Sequence, residues 1–166
     1  MLAILVIDMQ NVCVGKQHAA YFKYQNEQLI ECVNNAIEEH KEQIIVYIKN
    51  VMKKSLMNKL APFHAYEGSK EVELVEGLDI LSEHVFTKYE GDAFSNPALD
   101  TFLKQQRVDT VMLTGVDGGG CVALTALGAI RHGYHVIMHT QAIGTMFDKK
   151  KDKYDKLLAD KGAEFR

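Results

Sequence analysis

A chain of 166 residues that is 47% hydrophobic and 25% charged has the length and balance of one ordinary globular domain, so residues 1–166 are read as a single domain. Its net charge is −3, and its basic residues are interleaved with acids even in the densest cluster, 148–156; no one-sided basic face argues for a nucleic-acid partner. Two prolines and no low-complexity tract speak against linkers, and no internal repeat is visible.

In chain order, residues 2–7 form a continuous apolar run ending at Asp8, the pattern of a strand buried on both faces in a parallel sheet. The run is too short to span a bilayer and lacks a basic leader and a cleavage site, so neither a membrane anchor nor a signal peptide is expected. A cytoplasmic setting follows, in which Cys13, Cys32 and Cys121 stay thiols. Residues 26–40 place Leu29, Ile30, Val33 and Ile37 on one helical stripe, and 43–49 form a second strand. Residues 50–78 show no clear element; connections of that length are often lids or functional loops, with a short helix near 53–60 as the alternative. A third strand is expected at 84–88. A helix follows at 96–106, with Asn96 as its cap and Pro97 in its first turn. A strand at 110–115, a packed helix at 121–133 closed by Gly133, a strand at 135–139, a charged helix at 147–161 and an edge strand near Phe165 complete the pattern. Alternating strands and helices predict an α/β fold with a doubly wound, mostly parallel sheet of Rossmann-like topology.

In such sheets ligands bind beyond the carboxyl ends of the strands. Three reactive residue types fall there: Asp8 after the first strand, Lys88 at the end of the third, and Cys121 after the fourth, across the glycine turn 118–120. Singly, each has an ordinary explanation as a turn residue, a surface charge or a small core residue. Together they form a set able to do covalent chemistry. A helix N-terminus and a neighbouring ammonium favour the thiolate of Cys121. A carboxylate at Asp8 can take up and return a proton, and backbone N–H groups of the turn can face an oxyanion.

Three stretches, LAILVIDMQN at 2–11, KYEGDAF at 88–94 and GVDGGGCVALTALGAIRHGYHVIM at 115–138, resemble the isochorismatase-like cysteine hydrolases, which include nicotinamidases and related amidohydrolases. The resemblance covers nearly the whole chain. It implies a three-layer αβα sandwich and a catalytic triad of Asp8, Lys88 and Cys121. It also implies a cis peptide between Val116 and Asp117 that turns the N–H groups of Asp117 and Cys121 toward an oxyanion, and a substrate pocket drawing on Gln10, Cys13, Phe94 and Gly120, with a core role the alternative for Phe94. It further implies hydrolysis of a small amide or related C–N bond through a Cys121 thioester, in a homo-oligomer that needs no cofactor. The chain also departs from the pattern. Metal-bearing members carry an Asp-x-His pair and a further His after the second strand, whereas here the stretch 47–60 has neither and His64 stands alone, so no metal is expected. Val12 and Cys13 replace an acid and an aromatic, and Asp117, Gly118 and Gly119 replace a small residue, a threonine and a polar residue.

Other readings remain open at this point. Cys13 and Cys121 follow strands that would be neighbours, so the chain could act as a thiol redox switch if their Cα atoms come within ~7 Å. A vinyl-ether hydrolysis on the same fold would not need the thiol, and a degenerate member would bind a ligand without turning it over. The glycine turn lacks the spacing of a dinucleotide fingerprint or a P-loop.

Overall fold

The central strand explains the architecture. β1 (Leu2–Ile7) has apolar side chains on both faces, so both must be covered, and it lies between β2 (Ile44–Asn50) and β4 (Thr110–Val116), parallel to each. With β3 (Val85–Lys88), β5 (His135–Gly144) and β6 (Glu164–Phe165) the sheet has the order β3-β2-β1-β4-β5-β6, with every ladder between named strands parallel. The computed structural model describes the backbone of residues 1–166 and the side chains of all but Leu56 and Met57.

Alternate residues of the strands feed two separate cores. Ile4 and Val6 join Ile45, Tyr47, Met112 and Ile137 on one face. Ala3, Leu5 and Ile7 join Val46, Ile48, Val111 and Leu113 on the other. The first face is covered by α1 (Asn26–Glu39), which inserts Leu29, Val33, Ala36 and Ile37. Beyond α1 that face has no second long helix. Residues 51–78, with only the short α2 (Leu56–Lys59) and a 3₁₀ turn at Lys70–Val72, cover it instead by burying Val51, Ala65, Val72, Val75 and Leu78. The segment expected as a lid is therefore in large part a layer of the core.

The opposite face carries α3 (Pro97–Gln105), α4 (Cys121–Arg131) and α5 (Asp148–Asp160), making three layers. The Asn96 side chain caps α3 by accepting from the Ala98 N–H at 3.0 Å. β5 runs five residues beyond the predicted end at His139. His139, Thr140 and Gln141 break the apolar run, but the strand resumes pairing past a register shift, with Gly115 opposite Ile143 and Val116 opposite Gly144. Gly115 itself has φ +100, and a Cβ there would overlap the Ile7 carbonyl oxygen, so β1 and β4 approach this closely only with glycine. No helix among the described residues is long and apolar enough to cross a membrane.

Candidate active site

The strand order reverses direction between β1 and β4, and the crevice outside their carboxyl ends is where the chemistry-bearing residues meet. Asp8 leaves β1 in the left-handed region (φ 52), which Asp adopts more readily than most residues, and its amide donates to the Ile48 carbonyl at 3.0 Å. Lys88 ends β3, two strands away across β2. Its buried side chain reaches back so that Nζ lies 2.9 Å from Asp8 Oδ2 and 3.1 Å from the Glu90 carbonyl. Cys121 is the first residue of α4, and Asp8 and Lys88 both act electrostatically on its thiol. Asp8 Oδ1 is buried without a bonded partner among the described residues, an acceptor left spare beside a sulfur.

The electrostatics follow from burial. Removal from water pushes the Asp8 carboxyl up, against the lowering influence of Lys88. Burial works to lower Lys88, but the Asp8 carboxylate and the Cys121 sulfur outweigh it and the ammonium is held up, protonated. Burial and the nearby Asp8 charge push the Cys121 thiol up to about 12. The expected thiolate is thus not the resting form. Lys88 does pull the thiol down, but by less than burial and Asp8 push it up.

The turn before Cys121 has a definite pattern of free donors. The Val116–Asp117 peptide is cis. Gly118 N–H donates to the Gly144 carbonyl at 2.9 Å, Gly119 N–H to Asp117 Oδ1 at 2.8 Å, and Gly120 and Val122 N–H to the Asp117 carbonyl at 2.9 and 3.1 Å. The N–H groups of Asp117 and Cys121 remain without an acceptor among the described residues. The Asp117 carboxylate also accepts from the Met146 N–H at 2.7 Å and the Tyr24 hydroxyl at 3.3 Å. Neither Tyr24 nor this use of Asp117 was legible beforehand: they lie 93 positions apart in a loop and a turn without periodicity.

The segment after Lys88 runs along α4, one helical turn per step: Gly91 against Leu124, Asp92 against Gly128 and Arg131, Phe94 against His132. The Thr125 hydroxyl accepts from the Ala93 N–H at 3.0 Å, so Thr125 anchors the chain that carries Lys88.

Two of the residues expected in the pocket are engaged elsewhere. Phe94 is buried and stacks on His132 and Tyr134, with ring centroids 5.1 and 5.5 Å away, at the far end of α4. At ~1.5 Å per residue that end lies about 16 Å from Cys121, so Phe94 is a core residue. Gln10 is fully buried, and its amide is spent on backbone. Nε2 donates to the Asn50 and Val72 carbonyls at 3.1 and 3.0 Å, and Oε1 accepts from Asn50 N–H at 2.7 Å, clamping residues 51–78 to the end of β1. Gly120 does adjoin the nucleophile. Cys13 is buried, and its thiol is pushed well up by burial, then by Asp8 and Cys121, which places it in the same electrostatic neighbourhood.

A groove of about 1150 Å³ between α1 and residues 70–77 holds none of Asp8, Lys88 or Cys121. A smaller one of about 320 Å³ is lined by Tyr24, Gly144 and Thr145. The convergence of reactive groups, not cavity size, marks the site. The metal of metal-bearing relatives does not fit this chain. Asn50 ends β2 and Met52 lies just beyond it, and His64 Nε2 faces the Lys59 carbonyl at 3.3 Å. No group of three or more His, Cys, Asp or Glu among the described residues could hold an ion.

The family model of the isochorismatase domain matches residues 2–165. The chain belongs to the isochorismatase family. A solved isochorismatase-like hydrolase from Alkaliphilus metalliredigens is 26% identical and superposes with a TM-score of 0.85, covering 99% of this chain and 92% of that one. Maleamate amidohydrolase of Pseudomonas putida is 33% identical over 78 residues, 47% of this chain and 35% of that protein. N-carbamoylsarcosine amidase of an Arthrobacter species is 37% identical over 62 residues, 37% of this chain and 24% of that protein. The matched stretches thus span about a third and a quarter of these two relatives.

Proposed function

We propose that this member of the isochorismatase family is an amidohydrolase that cleaves a small amide or related C–N bond through a thioester at Cys121. The observation that carries the reading is the buried Asp8–Lys88 pair acting on the half-buried Cys121 thiol, with one Asp8 carboxylate oxygen unbonded and the N–H groups of Asp117 and Cys121 without an acceptor among the described residues. The amidase names of the maleamate and N-carbamoylsarcosine relatives support it.

In this reading the Cys121 sulfur attacks the carbonyl carbon as its proton passes to Asp8 Oδ1, because a thiol pushed up to about 12 needs a base at the moment of attack. The oxyanion is received by the N–H groups of Asp117 and Cys121. Collapse breaks the C–N bond, the leaving amine takes the proton from Asp8, and the acyl group stays on sulfur. Water then attacks the thioester, gives its proton to Asp8, and the acid leaves as the thiol is restored. Lys88 holds Asp8 in place and stabilises its charge between the two steps. Vinyl-ether hydrolysis would leave the thiol and both free amides without a task.

Residues 1–166 act as one domain. Three unpaired cysteines support a cytoplasmic setting, and the homo-oligomer that the family resemblance implies is to be measured by light scattering.

Cys121→Ala and Cys121→Ser should each abolish turnover of a panel of small amides with unchanged circular dichroism, and intact-mass spectrometry of the wild type should trap the acyl adduct. Undiminished turnover in both variants overturns the proposal. The acid limb of kcat/KM should sit above the ordinary Asp value of 3.8, since burial raises Asp8 and only its ionised form can take the thiol proton. A limb at or below that value would remove Asp8 from the base role.

A further inference from the structure

The charges around Cys121 do not balance. Asp8 and Lys88 neutralise one another at 2.9 Å. A third charge-bearing side chain stands four residues before the nucleophile, in the turn that carries the two N–H groups left without an acceptor among the described residues. The Asp117 carboxylate accepts from Gly119 N–H, Met146 N–H and the Tyr24 hydroxyl, a donor set that suits an acceptor-only group. Bonds to a side chain and to two backbone amides from separate elements leave it little freedom to swing away. It is also close: a Cβ built on Gly120, the residue before Cys121, would lie 3.5 Å from Asp117 Oδ1. Tyr24, which bonds Asp117, also feels the charges of Cys13 and Cys121.

No arginine balances this carboxylate. The chain has three: Arg131 pairs with Asp92 near the far end of α4, Arg166 pairs with Glu164 at the sheet edge, and Arg107 follows α3 at the amino-terminal end of β4. The lysines packed nearest the turn are also turned elsewhere. Lys151 is paired with Asp155, and Lys150 is exposed.

We propose that Asp117, fixed by Tyr24, Gly119 and Met146, is a specificity-determining residue that restricts this site to uncharged or cationic amides and rejects substrates with an anionic group near the scissile bond. The inference rests on the amidase reading for its substrate class, but the charge filter can be measured without turnover. A like charge held within one pocket width, partly shielded from water, slows approach of an anion by roughly tenfold. The same carboxylate holds the turn that carries the two free N–H groups, so one residue sets both the shape of the turn and the sign of its field.

The test compares alkylation of Cys121 by iodoacetamide, which is neutral, and iodoacetate, which is anionic, with the labelled residue identified by peptide mass spectrometry. Relative to a small neutral thiol such as N-acetylcysteine amide, the iodoacetate-to-iodoacetamide rate ratio at Cys121 should be about tenfold lower at low ionic strength. It should rise toward the reference in Asp117→Asn and, in the unaltered protein, with added salt. The salt series keeps the test decisive if Asp117→Asn fails to fold. A ratio equal to the reference thiol, or one that responds to neither change, overturns the proposal. Turnover of succinamide and of succinamate gives a second reading: kcat/KM should favour the neutral succinamide, and a preference for succinamate overturns the filter while leaving the amidase intact. If neither amide is cleaved but alkylation discriminates, the filter stands and the amidase reading alone falls.

Discussion

The two faces of this sheet are covered by different means. On one, α3, α4 and α5 pack as regular helices, and the segment 91–94 is laid along α4 at contacts four residues apart. On the other, α1 covers β4 and β5, while the irregular stretch 51–78 takes the place of a helix and is tied to the end of β1 by the Gln10 amide and by backbone bonds to Met9, Asn11 and Val12. The regular face holds its part of the site by repetition, so several contacts must fail before Lys88 moves. The irregular face is held by scattered bonds without a repeat, those of the buried Gln10 amide among them. Lys88 joins the two. Its carbonyl accepts from Val51 N–H at 2.9 Å, where residues 51–78 begin, and its ammonium holds Asp8 and the Glu90 carbonyl, where the segment along α4 begins.

The severest break is therefore at that joint. Lys88→Met keeps the length of the side chain but leaves Asp8 buried without its partner, a situation that costs about 3–5 kcal/mol when one half of a buried pair is removed. Turnover should fall by on the order of 10³-fold, since the base is then held neutral by burial. Denaturant melts and amide kinetics check both. If stability falls while turnover persists, Lys88 is a structural tie and has no part in the proton cycle.

Gly128→Ala strikes the regular face alone. A Cβ at 128 would overlap the Asp92 carboxylate, which is already bound to Phe94 N–H and Arg131. Overpacking of this kind should cost about 2–3 kcal/mol. Because Thr125 still holds Ala93, kcat should drop by less than tenfold. A drop as large as that of Lys88→Met would mean that the regular face is not redundant after all.

How far this contrast was legible in the sequence depends on the range of the forces involved. The strands were readable because a sheet covered on both faces demands unbroken apolar runs, and Asp8, Lys88 and Cys121 stood out because each is a reactive residue at a strand end. β5 was cut short at His139 because the polar residues 139–141 interrupt the run, although the strand continues beyond them. Phe94 drew attention as a motif residue, yet nothing local says that the chain after Lys88 follows α4 away from Cys121. Gln10 and the Tyr24–Asp117 contact depend on partners 40, 62 and 93 positions away, which no periodicity encodes. The irregular cover 51–78 offered only its length and a scatter of apolar residues, too few and too unevenly spaced to announce a core layer.

The gentlest test separates the irregular cover from the chemistry. Gln10→Ala removes the clamp without touching Asp8, Lys88 or Cys121, and leaves the Asn50 N–H and the Asn50 and Val72 carbonyls short of a partner. Losing a buried amide that serves three backbone groups should cost about 1–2 kcal/mol. The consequence should be local. Residues 51–78 should become sensitive to limited proteolysis, and KM should rise severalfold while kcat stays within about twofold, because bound substrate still meets the same three groups. A kcat that collapses with Gln10→Ala would mean that the clamp also sets the position of Asp8, two residues earlier on the same turn, and that the irregular cover is part of the catalytic machinery and not only its wall.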